Sequence, residues 1–170
     1  MKQIKTLVIA FALVVGASSF ANAQSKEVAH INVQDLIQAM PDYKTAQAEL
    51  QKKEQSYQAD IKSSTDELQN KITLYRNEAP TKTEAENEKR AQEVDGLRNN
   101  LMQAQQMAQQ EMQKKQVELI QPIMEKARTS IQKVARAQGF KYVLDSSPGS
   151  GVILADGKDL MPDVKKDLGM

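Results

Sequence analysis

Two long runs of apolar residues at helical spacing constrain this chain more than any other feature. In the first run the apolar positions are Tyr43, Ala46, Leu50, Tyr57, Ile61, Leu68, Ile72 and Tyr75. At about 100° per residue they fall within roughly 40° of one line. They form a heptad seam with two apolar turns skipped, where Glu54 and then Ser64 or Thr65 stand instead. The second run carries Val94, Leu97, Leu101, Ala104, Ala108 and Met112. Leu119, Ile123, Ala127, Ile131 and Val134 or Ala135 continue it, mostly at a spacing of four, so the stripe turns slowly around its helix. Charges of alternating sign fill the remaining faces, as on solvated helices. The one break between the runs is Glu78-Ala79-Pro80-Thr81-Lys82-Thr83. Pro80 stops the first helix, and Thr83 with Glu86 makes a capping-box pattern for the second.

The spacing thus predicts a helix from Asp42, its N-cap, to about Asn77, roughly 54 Å long. A second helix is predicted to about Gln138, where Gly139 supplies the C′ stop. A tight turn between long helices makes an antiparallel hairpin, with residue i beside about 161−i. Pro41 then lies at nearly the height of Pro122, and both are read as hinge positions between the hairpin and a compact base.

The base is expected from the two ends. Residues 28–33 (VAHINV) read as a strand, and Asp35 as the cap of a short helix over 36–40. Near the C-terminus FKYVLD reads as a strand to Asp145, SSPGSG as a turn, and Val152-Ile153-Leu154 as a second strand of the same hairpin. Asp159 caps a terminal helix through Leu168, with Pro162 in its first turn. The fold class is therefore α+β, mostly α: a long antiparallel helical hairpin inserted in a small β body. We divide the mature chain, 24–170, into the β body (24–41 and 120–170) and the hairpin arm (42–119).

The first 23 residues read as an export signal. Lys2 and Lys5 precede the apolar run LVIAFALVV, and Ala21-Asn22-Ala23 supplies the cleavage pattern. The run is too short to span a bilayer, so no stable membrane insertion is expected, and the mature protein is assigned to the periplasm. Loss of Lys2 and Lys5 from 23 basic side chains leaves 21 against 22 acidic ones, a net −1. That balance offers no field for nucleic acid.

Chemistry-bearing residues are scarce. Cysteine is absent and His30 is the single histidine, which argues against disulfides, a zinc site or a His-based triad. No phosphate loop or spaced metal cluster appears. Neither an enzyme, a cofactor nor a metal is expected. His30 is read as structural, and pairs such as Glu86/Glu88 as solvated helix faces.

A base of only about 50 residues with raw strand edges is marginal alone, so several copies are expected to associate through it into a shared β-barrel with helical arms. Off the seams, Met102 lies roughly 160° from the line through Ala104, Met107 lies about 60° to one side, and Leu74 is off the first helix's line. These three are the candidate binding residues, because flexible apolar side chains suit promiscuous surfaces.

The opening unit VAHINVQDLIQAMPDYKTAQAELQ, the charged helical hairpin and the closing run IMEKARTSIQKVARAQGFKYVLDSS resemble the Skp/OmpH family of periplasmic chaperones across 24–170. The resemblance implies a homotrimer with a barrel body and three arms around a cavity. It implies an ATP-independent holdase that keeps unfolded outer-membrane proteins from aggregating during transit to the outer membrane. Family members are often strongly basic, whereas this mature chain is near neutral. The competing reading is an envelope coiled-coil adaptor that binds one folded partner.

Overall fold

The computed structural model describes residues 27–170; the expected export signal, residues 1–23, lies outside them. The described chain is mostly helical. Strand β1 (Val28–Ile31) leads into helix α1 (Val33–Ala39) and helix α2 (Pro41–Glu78). A 3-10 turn (Ala79–Thr81) precedes helix α3 (Glu84–Ala137). Strands β2 (Tyr142–Asp145) and β3 (Lys158–Asp159) and helix α4 (Met161–Asp167) complete it. The chain divides into two compact units, one of residues 34–129 and one joining 27–33 to 130–170.

In the first unit, α2 and α3 run antiparallel, as the seam periodicity requires. Ala46, Leu50, Leu68, Ala108, Ile123 and Ala127 are its buried seam residues. Met40 is the N-cap of α2 and Pro41 stands at its first turn, so Asp42 lies inside the helix and not at its cap. Proline is tolerated there because the N–H it lacks would have no helical partner. The capping box at the start of α3 is formed. The Thr83 N–H donates to Glu86 Oε2 at 2.9 Å, and the Glu86 N–H donates to Thr83 Oγ1 at 3.3 Å. Helix α3 continues through Pro122. The Glu118 carbonyl, four residues earlier, thereby loses its intrahelical donor.

The pairing register differs from the sequence expectation. Lys115 reaches Glu49 at 2.8 Å and Lys126 reaches Asp42 at 2.7 Å. Those residue numbers sum to 164 and 168, not 161. The physical reason is the turn: the 3-10 segment and the cap at Thr83 move the apex about two residues beyond Pro80. Pro41 still lies within about a turn of Pro122.

In the second unit the sheet order is β2-β1-β3, and both neighbours run parallel to β1. Val28 pairs with Tyr142 and Ile31 with Asp145, while His30 pairs with Asp159. This corrects the expected C-terminal hairpin. Parallel neighbours need a crossover, and residues 146–157 supply it. Val152-Ile153-Leu154 form no strand, although they read as one. The place beside β1 that they would fill is taken by Lys158–Asp159. Helix α1 also begins earlier than expected. Asp35 sits in its first turn, and the Val33 N–H is met by Asp145 Oδ1 at 3.3 Å.

Beneath the sheet Ala29, Ile31, Ile131, Val134, Ala135, Leu160 and Val164 are buried. The N-cap of the last helix is Leu160, one residue beyond the expected Asp159, though Asp159 Oδ1 still accepts from the Met161 N–H at 2.8 Å. Gly139 takes φ 81° just past α3, the left-handed conformation of a C′ glycine.

Candidate functional site

The hairpin's far end is held by charge. Glu93 accepts from both the Lys71 ammonium and the Tyr75 hydroxyl, the latter at 2.6 Å. Arg90 pairs with Glu78 at 2.6 Å and lies over the Tyr75 ring, 4.6 Å from its centroid. The two donors on Glu93, Lys71 first, hold its carboxyl below the ordinary range, and Glu93 in turn holds the Lys71 ammonium and the Tyr75 phenol above theirs. Glu93 is exposed and Lys71, Tyr75, Glu78 and Arg90 are half-buried, so the network is only partly shielded from water and orders the tip more than it stabilises the chain.

Along the middle of the hairpin the seam lapses where the sequence skips apolar turns. Tyr57 and Ile61 meet the small Ala108, and a shallow groove opens on each side. Ala104 and Met107 line one groove; Met112 lines the other. Gln58, Gln105, Gln109 and Gln113 rim the second groove with uncharged polar groups.

The three candidate client residues are exposed. Leu74 is 50% exposed, Met102 60% and Met107 56%, all in the 34–129 unit. Met107 lines the first of these two grooves and Leu74 and Met102 line neither, so these grooves do not gather the three. Val117 and Met124 are two further exposed apolar residues on α3 that sequence reasoning passed over. Their signal was available: Val117 lies five residues, about 140°, past Met112, and Met124 lies about 100° past Ile123.

The second unit carries an apolar surface of its own. Val28, Tyr142 and Leu144 are exposed on the sheet, and on the crossover Ile153 is fully exposed and Leu154 74% exposed. Among the described residues no further strand pairs with the outer edge of β2 or of β3. His30 joins the ends of the sheet: its Nε2 donates to the Gly157 carbonyl at 3.2 Å, in the tautomer that leaves Nδ1 to accept from Ser146 Oγ at 3.4 Å. Among the described residues, no group of three or more His, Cys, Asp or Glu could hold a metal ion. None of the described helices is long and apolar enough to cross a membrane.

The profile of the family described as "Outer membrane protein (OmpH-like)" matches residues 27–168. A curated relative, the chaperone protein Skp of Pectobacterium atrosepticum, is 24% identical over 156 residues, covering 92% of this chain and 93% of that protein. A solved structure from Caulobacter crescentus, described as an OmpH-like outer membrane chaperone, superposes with a TM-score of 0.75 at 20% identity. The match covers 83% of this chain and 82% of that one, and it shows a shared fold. With the family profile spanning nearly all of the described residues, the chain belongs to the OmpH-like outer membrane protein family of Skp-type chaperones.

Proposed function

We propose that this protein is an ATP-independent holdase of the periplasm. It binds unfolded outer-membrane proteins and keeps them from aggregating during transit. The observation that carries the reading is the placement of apolar side chains. The hairpin buries Ala46, Leu50, Leu68, Ala108, Ile123 and Ala127 along its seam and leaves Leu74, Met102 and Met107 exposed, off the line that the partner helix covers. Each offers a weak, adaptable contact, and many weak contacts hold an extended chain yet release it without nucleotide hydrolysis.

The same reading makes the protein a homotrimer. Copies join through their sheets into a β-barrel base, and their helical arms enclose a cavity. The outer edges of β2 and β3 and the exposed Val28, Tyr142, Leu144, Ile153 and Leu154 support this, because an unpaired edge beside apolar surface favours association. Pro41 and Pro122 act as hinge positions of the arm. Hydrogen exchange over residues 116–124 should be faster than in the flanking turns, and uniform protection there would remove the hinge.

The test of function is light scattering from a urea-denatured outer-membrane porin diluted into buffer. Stoichiometric mature protein should suppress aggregation equally with and without ATP. A coiled-coil adaptor with one folded partner would leave aggregation unchanged, and that outcome would overturn the proposal. Static light scattering of the mature protein should give a mass near three chains, and a stable monomer would remove the cavity.

A further inference from the structure

We propose that Met102 and Met107 form an oxidation switch on client holding, a reading that rests on the holdase function above. With neither cysteine nor tryptophan in the chain, the methionine thioethers are its most readily oxidised side chains. Exposure sorts them. Met40 is 1% exposed and Met112 is half-buried, whereas Met102 and Met107 are the two most exposed methionines on α3. An oxidant therefore reaches the two candidate client contacts before it reaches the methionine buried in the fold. Neither side chain is a buried seam residue, so their modification leaves the helix pairing intact.

The chemistry needs a peroxide and nothing else from the protein. The sulfur lone pair attacks one peroxide oxygen, and an S–O bond forms as the O–O bond breaks. The departing hydroxide collects the proton left on the transferred oxygen and leaves as water. Sulfur gives up two electrons and the peroxide accepts them. The product is a polar, chiral sulfoxide in place of a flexible apolar group, which a client's apolar surface no longer favours. Sulfoxide reductase reverses the step at the expense of a thiol. The holdase would thus lose grip under oxidant and recover it enzymatically.

The test uses full-length mature protein treated with graded hydrogen peroxide. Peptide mass spectrometry follows each methionine, and porin aggregation reads holding. Sulfoxide should appear at Met102 and Met107 before Met112 and Met40. Holding should then require roughly fivefold more chaperone, with reductase restoring it. Each variant is compared with its own untreated sample. The Met102→Leu/Met107→Leu pair should show no loss on peroxide treatment, and Met124→Leu should lose holding as the parent does. Undiminished holding with both sulfoxides formed would overturn the switch. So would equal loss in the leucine pair, or loss of helical circular dichroism in step with loss of holding. If the untreated protein fails to suppress aggregation, the holdase reading fails first and the switch falls with it.

Discussion

Replacing Met102 and Met107 by serine separates holding from folding. Met102 is 60% and Met107 56% exposed, so a client can cover a little over half of each side chain. Full burial of a methionine is worth about 1.5–3 kcal/mol, which gives each about 1–1.7 kcal/mol still available to a client. Loss of both removes at most about 2–3.5 kcal/mol, or roughly 30- to 350-fold in affinity for a client that covers both. A client touching several such sites in turn feels less, so a three- to tenfold rise in the chaperone needed to halve aggregation is the working expectation. Stability should move by less than about 0.5 kcal/mol, because exposed positions outside the packed seam contribute little. The assay is porin aggregation titrated against chaperone, beside urea unfolding of the same samples. Unchanged holding in a folded double variant would refute the reasoning.

Four further outcomes follow from the packing and the charges. Leu68→Ala empties a 7%-exposed seam position and should cost about 2–3 kcal/mol, read as a lower urea midpoint at unchanged slope. Gly139→Ala places a side chain at φ 81° with no neighbour within reach, so only backbone strain of about 1–2 kcal/mol is expected in the same assay. Ile153→Asp with Leu154→Asp should lower the solution mass by light scattering if the exposed crossover meets a second copy, and an unchanged mass would count against that contact. Acid should weaken the terminal helix. Lys133 with Ser130 holds the Asp167 carboxyl low, and Lys158 with Gln138 does the same for Asp163. A carboxyl whose folded pKa lies below its unfolded value favours folding above that unfolded value. The benefit is lost as pH falls through the folded one, so stability should hold to about pH 5 and decline below about pH 4. Asp167→Asn should flatten that decline in a pH series of thermal melts.

The helical hairpin was legible because its signal is periodic over dozens of residues and its punctuation is chemical. Pro80, the Thr83/Glu86 box and Gly139 each mark a boundary that local physics alone determines. The sheet was less legible. FKYVLD and Val152-Ile153-Leu154 both satisfy the local pattern of a strand, yet pairing is decided by which segment reaches β1, a non-local matter. Lys158–Asp159 has almost no strand character and takes that place. The cap of α1 shows the same limit, since Asp145 acts over more than a hundred residues and local spacing pointed to Asp35. The exposure of Met102 and Met107 followed from angular position, because a side chain turned well away from the seam faces outward.

The central place of β1 sets an order of assembly. Four residues from the start of the described chain are flanked on both sides by segments more than a hundred positions later. Closing so long a loop costs conformational entropy, and the helical pair can meet part of that cost beforehand. It nucleates locally, zips from its turn toward Asp42 and Lys126, and draws the distant ends together before any strand has a neighbour. A nascent copy therefore keeps a solitary first strand until residues 142–159 have been made, and that strand is unsheltered throughout the synthesis of the helices.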